Sequence, residues 1–214
     1  MAAAIAVVFF IEISFRWAMS GKAGSPLPAL GIVRCLESIL LAAIAGWLEN
    51  GTAAIGLCRP KILSGFRRGL IWSAGFGVAA AILFLVLTAS GVHVLEFLDG
   101  AKPRSWQQMA VFLLVGGVLG PITEEIFFRG IIYGFLRQWG AVLAIITSTL
   151  IFVFTHPAAG SIPVTQLVGG IVFAVAYEKE QNLMVPITIH CLGNLTIFSQ
   201  NRVYIRTVGN FKWV

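Results

Sequence analysis

Apolar residues run along this chain in blocks long enough to cross a bilayer, separated by short polar stretches. About seven blocks emerge, near 2–19, 28–48, 69–92, 107–136, 141–156, 164–177 and 184–200. A spanning helix needs roughly 20 such residues. The pattern predicts an all-α fold, a polytopic transmembrane helical bundle of about seven to eight membrane segments. The last two blocks are short and read as tilted, re-entrant or buried within the bundle. The fourth is too long for one straight crossing; Pro121 is expected to kink it, and an eighth segment fits there.

Few charges interrupt these blocks. Glu12 and Arg16, four apart, and Arg34 and Glu37, three apart, each read as an ion pair along one helix. Arg59, Lys61, Arg67 and Arg68 fall in the loop after the second block, the densest basic cluster, which predicts a cytoplasmic side. Seven crossings then place Arg202, Arg206 and Lys212 on the opposite side, and the two sides nearly tie in Lys and Arg. Either the segment count is off by one, or charge does not decide the orientation.

Composition narrows the class. The chain is 58% hydrophobic and only 11% charged, with a mean hydropathy of +0.90, where a soluble domain carries about 25% charged residues. It reads as one integral membrane domain over 1–214. The net charge of +6 is scattered through loops and the tail, which argues against nucleic acid as a partner. Membrane lipids are the expected partners, with Arg202, Arg206 and Lys212 suited to anionic headgroups. The first block lacks a basic leader and contains Glu12 and Arg16, so it is read as a retained segment and not a signal peptide. Cys35, Cys58 and Cys191 show no metal-binding spacing.

Against this background Glu124, Glu125, Arg129, His156, His190 and Asn194 stand out. An ionisable group at membrane depth costs at least a few kcal/mol, so it marks a functional site by default. Glu125 and Arg129 share a helix face at i,i+4 and pair internally, which leaves Glu124 as the candidate general base. His156 precedes Pro157, which puts it at a helix end. His190 and Asn194, four apart, project from one face, with Gly193 leaving room for close approach. They can stabilise an oxyanion, or make interhelical hydrogen bonds worth about 1 kcal/mol each. One free carboxylate, two histidines and an amide can activate a water and hold a tetrahedral intermediate, which makes hydrolysis of an amide the natural reaction.

Two other classes use the same residues. A proton-coupled transporter or channel would employ the Glu and His groups as a relay, although no internal repeat is visible. A non-catalytic membrane scaffold would retain them without turnover. Tyr177 and Glu178, at the end of the sixth block, read as a solvated helix end in preference to residues that cap or line the site, and His93, Gln107 and Gln108 carry no assigned role.

The order Glu124-Glu125-xxx-Arg129, Phe152-xxx-His156, His190-xxx-Asn194 resembles the CPBP family of intramembrane proteases. That family includes the type II CAAX prenyl endopeptidases and bacterial Abi-like relatives. The resemblance covers roughly 107–200. It implies a helical bundle with a cavity open to lipid and cytosol. It implies that Glu124 and His156 activate the water, that His190 and Asn194 form the oxyanion site, and that Glu125, Arg129 and Phe152 support them. The implied activity is intramembrane endopeptidase cleavage of a membrane-anchored peptide or protein, CAAX-like or lipid-linked. The short chain looks like a prokaryotic member, hence a prokaryotic plasma membrane. Glu124, His156 and His190 can also ligate zinc with a water in the fourth position. The chain has no HExxH helix, so a metal-free glutamate mechanism is favoured and no cofactor is expected.

Overall fold

The computed structural model describes residues 2–20, 26–47, 51–92, 103, 105–156 and 163–209, the side chains of 2–3 and 200–209 excepted. Seven helices carry the described chain: α1 Ala2–Met19, α2 Leu27–Gly46, α3 Ile62–Ala89, α4 Trp106–Trp139, α5 Ala141–Phe154, α6 Val164–Glu180 and α7 Met184–Gly209. No strand occurs among the described residues. The all-α membrane bundle expected from hydropathy is the observed architecture. His93, Pro157 and Lys212 lie outside the described residues, as do the side chains of Arg202 and Arg206.

By length and hydropathy, α2, α4 and α3 extended back to Arg59 can cross a membrane. The fifth helix, at 14 residues, is shorter than the roughly 20 residues of a full span. The sixth has 17 residues, and the seventh, though 26 residues long in all, has a short apolar part, Met184–Ser199, so the last two blocks are short as the pattern indicates. The third helix begins seven residues earlier than its apolar block, and Arg67 and Arg68 lie inside it, not in a loop. Hydropathy marks where a helix meets lipid; the backbone ladder does not stop at that boundary.

Pro121 neither breaks nor divides α4. The helix widens into i→i+5 turns over Val115–Leu119 and again over Ile126–Tyr133. In the first wide turn Gly120 donates its N–H to the Val115 carbonyl. The next carbonyl, Gly116, would take its donor from residue 121, a proline without an N–H. Asn194 on α7 supplies the missing donor, with Nδ2 2.9 Å from the Gly116 oxygen. A single 34-residue rod results; at about 1.5 Å per residue it exceeds the thickness of a bilayer core. Gly140, at φ +116°, then turns the chain into α5.

The last helix is the hub, with α3, α6 and the wide turn of α4 packed against it. The third helix reaches it through Gly65 and Gly69, where an added Cβ would lie 2.5 Å from the Asn182 and Thr188 side chains. Small residues at such crossings let backbones approach where the hydrophobic effect gives no drive. Leu41, Phe127, Phe128, Tyr133, Phe152 and Leu183 form the main core. Two expected pairings resolve differently. Glu12 pairs with Arg34 across α1 and α2, not with Arg16, while Arg34 also holds Glu37 at 2.5 Å. A guanidinium fork at this depth satisfies two carboxylates at once. Tyr177 is buried, and Glu178 accepts from Tyr133 Oη at 2.5 Å and Arg137 Nε at 2.9 Å. That end of α6 is tied to α4 and is not a solvated cap.

Candidate active site

Two adjacent carboxylates on α4 meet opposite environments. Helical geometry turns consecutive side chains about 100° apart, so Glu125 faces the bundle interior while Glu124 opens outward. The Glu125 side chain has no exposed surface and that of Glu124 retains 22%. This separation follows directly from their adjacency in the sequence.

Glu125 is held from two helices. Its Oε1 accepts from Arg129 Nη1 at 3.0 Å and from His190 Nδ1 at 2.7 Å. Arg129 is itself fully buried, and its second nitrogen, Nη2, donates to the Gly170 carbonyl at 3.1 Å. Its guanidinium lies 4.8 Å from the Phe152 ring and 5.3 Å from Phe173, which adds cation–π attraction in a dry setting. A buried pair repays desolvation only with such additional partners. Gly170 makes the arrangement possible, because a Cβ there would press to 2.8 Å from Thr149.

Glu124 sits between two imidazoles. Its Oε1 is 3.6 Å from His156 Nε2, and its Oε2 is 3.8 Å from His190 Nε2. Both separations exceed a direct hydrogen bond and suit a bridging water or substrate atom. His156, two residues past the end of α5, points Nδ1 at the Phe152 carbonyl at 2.8 Å. Donation of Nδ1–H to that oxygen leaves Nε2 with its lone pair towards Glu124. The Phe152 ring packs against His156 at 4.5 Å and lies edge-on to His190 at 5.9 Å. It is the aromatic wall shared by both.

The structure therefore brings together Glu124, Glu125, Arg129, Phe152, His156 and His190. Asn194 lies one turn beyond His190, and its amide is engaged by Gly116. Among the described residues no three His, Cys, Asp or Glu side chains form a metal-binding group. Sequence reasoning missed four contributors. Phe173 stacks on His190 at 4.5 Å, and Gly170 receives Arg129. Thr123 donates to the Arg34 carbonyl at 3.0 Å and pairs with Ser38 at 2.7 Å. The second helix thus grips α4 one residue before Glu124, next to the Glu12–Arg34–Glu37 cluster. The Gly169-Gly170 doublet was the legible signal for close approach; an aromatic in an apolar block carries none.

Residues 104–196 match the family model described as type II CAAX prenyl endopeptidase Rce1-like. That stretch, somewhat less than half of the chain, is similar to the Rce1-like family. The chain is 34% identical over 95 residues to the membrane-embedded CAAX protease MroQ of Staphylococcus aureus, covering 41% of this chain and 38% of that protein. Identity to YdiL of Bacillus subtilis, named as a candidate membrane peptidase, is 32% over 134 residues, 58% of this chain and 53% of the relative. YaiH of Lactococcus lactis is 32% identical over 117 residues, 53% of this chain and 49% of YaiH. The matches span at most about half the length of these curated relatives. No solved structure matches the chain. The Rce1-like match contains every residue of the cluster, from Glu124 to Asn194.

Proposed function

We propose that this chain is an intramembrane endopeptidase that hydrolyses a peptide bond of a membrane-tethered substrate, CAAX-like or lipid-linked. The observation that carries this reading is the placement of Glu124. It is a partly open carboxylate facing two imidazoles within 4 Å, beside a second carboxylate whose charge is already committed. The Rce1-like match and the names of MroQ and YdiL support the reaction class.

In the proposed mechanism a water lies between Glu124 and His156 Nε2, both of which accept its protons. Glu124 takes one proton as the water oxygen bonds to the scissile carbonyl carbon. The carbonyl oxygen becomes an oxyanion beside His190 and the Asn194 N–H that is not given to Gly116. Because Nδ1 of His190 donates to Glu125, its Nε2 can donate only when it also carries a proton. When the C–N bond breaks, the proton held by Glu124 passes to the leaving amine. Arg129 fixes Glu125, Glu125 fixes His190, and Phe152 fixes the position of both rings. The two imidazoles and the carboxylate suffice for this sequence without a metal, which is the version favoured here.

Purified protein in liposomes, offered a library of lipid-linked peptides, tests the proposal. Cleavage is expected from the native chain. Glu124→Ala and His156→Ala should each lose at least about 100-fold, the usual scale of general acid–base catalysis, with helicity retained. Chelation should leave the native rate unchanged. Cleavage retained by both variants would reject the site, and stoichiometric zinc lost together with activity would replace the glutamate mechanism with a metal one.

A further inference from the structure

Away from the cluster, α3 and α6 enclose a lateral groove of about 380 Å³, lined by Ile71, Trp72, Gly75, Phe76 and Val172. Its surface is almost wholly apolar, and it opens sideways between the two helices. One end carries charge. On α3 the residues one helical turn before Ile71 and Trp72 are Arg67 and Arg68, so the α3 wall of the groove continues into two arginines at i−4. Arg68 Nη1 donates to Glu180 at 2.7 Å, and Trp72 Nε1 donates to the same carboxylate at 3.1 Å. Glu180 neutralises Arg68 and fixes the indole, whose ring then serves as a wall. Arg67 is exposed and makes no ion pair among the described residues, and Lys179 is exposed on the facing helix end.

A hydrocarbon slot headed by an unpaired cation and a fixed interfacial tryptophan has the two-part chemistry of one ligand class. The geometry points to a binding site for a single anionic phospholipid, with one acyl chain in the groove and the headgroup phosphate on Arg67. A free anion would have no use for the slot, and a zwitterionic lipid would bring an ammonium to Arg67. Basic clusters at a membrane face gain about 1 kcal/mol per Lys or Arg from anionic lipid. Val172 lines the groove while its neighbour Phe173 stacks on His190, and no residue of the carboxylate cluster lines it; the site stands independently of the hydrolytic reading.

Native mass spectrometry of the whole chain, exchanged from detergent into mixed phosphatidylglycerol and phosphatidylcholine, tests the site. One phosphatidylglycerol should survive delipidation, retained at least about fivefold over phosphatidylcholine. Arg67→Ala should erase that preference. Gly75→Leu should remove the bound lipid altogether, because a Cβ at Gly75 meets nothing within 4 Å and fills only the groove. Equal retention of the two lipids by the native chain, or unchanged retention in Gly75→Leu, would overturn the proposal. Neither result depends on whether the protein cleaves peptides.

Discussion

The third and fourth helices are both long apolar rods, and hydropathy ranks α3 the higher, 2.4 against 1.7. Their surroundings are opposite. Half of the most apolar window of α4 is buried inside the protein and none of that of α3. The third helix buries only Gly65 and Gly69 fully, half-covers Trp72 and Phe76 against the bundle, and turns most of its remaining surface outward. The fourth carries Glu124, Glu125 and Arg129 and is gripped from α2, α5, α6 and α7. Hydrophobicity thus says that a helix enters lipid, and the few polar groups it carries say how deep in the bundle it lies. A charge is tolerated at that depth only where neighbours can answer it.

The contrast predicts a graded series of stability effects. Arg129→Leu should be the most damaging, by about 3–5 kcal/mol, because it leaves the Glu125 carboxylate buried without its cation. Thermal denaturation in detergent reads this directly, and a loss below that of a surface substitution would refute the central placement of α4. On α3 the two glycine environments should separate. Gly69→Val, driven against Thr188, should cost about 1–3 kcal/mol by overpacking. Gly75→Leu on the outward face should stay within about 0.5 kcal/mol. The smaller test concerns α7. Asn194→Ala removes the donor to Gly116 and should cost about 1 kcal/mol, the worth of one interhelical hydrogen bond in a membrane.

Much of the site was legible because its spacing is helical. Glu125 and Arg129 at i,i+4 are the observed ion pair, and the adjacency of Glu124 to Glu125 is what sends it to the other face. His156 sits at a helix end, as its proline neighbour required. What could not be read was pairing between helices. Glu12 finds Arg34 and not Arg16, Glu178 finds Tyr133 and Arg137, and Arg129 finds a backbone carbonyl that no side-chain pattern announces. Pro121 shows the same limit in a different form. Its missing N–H was readable, but the donor that answers the freed carbonyl lies on another helix, at Asn194. Helix starts were misplaced where charged residues continue an apolar helix, as Arg67 and Arg68 do on α3.

The central claim is a division of labour between neighbours: Glu125 carries the fold's buried charge network, and Glu124 is left free for chemistry. Cleavage rate and melting temperature measured on the same preparation of Glu124→Gln test it most directly. The account predicts a rate lowered at least about 100-fold with the melting temperature of the native chain. Native-level cleavage, or a loss of stability as large as that of Arg129→Leu, would contradict it.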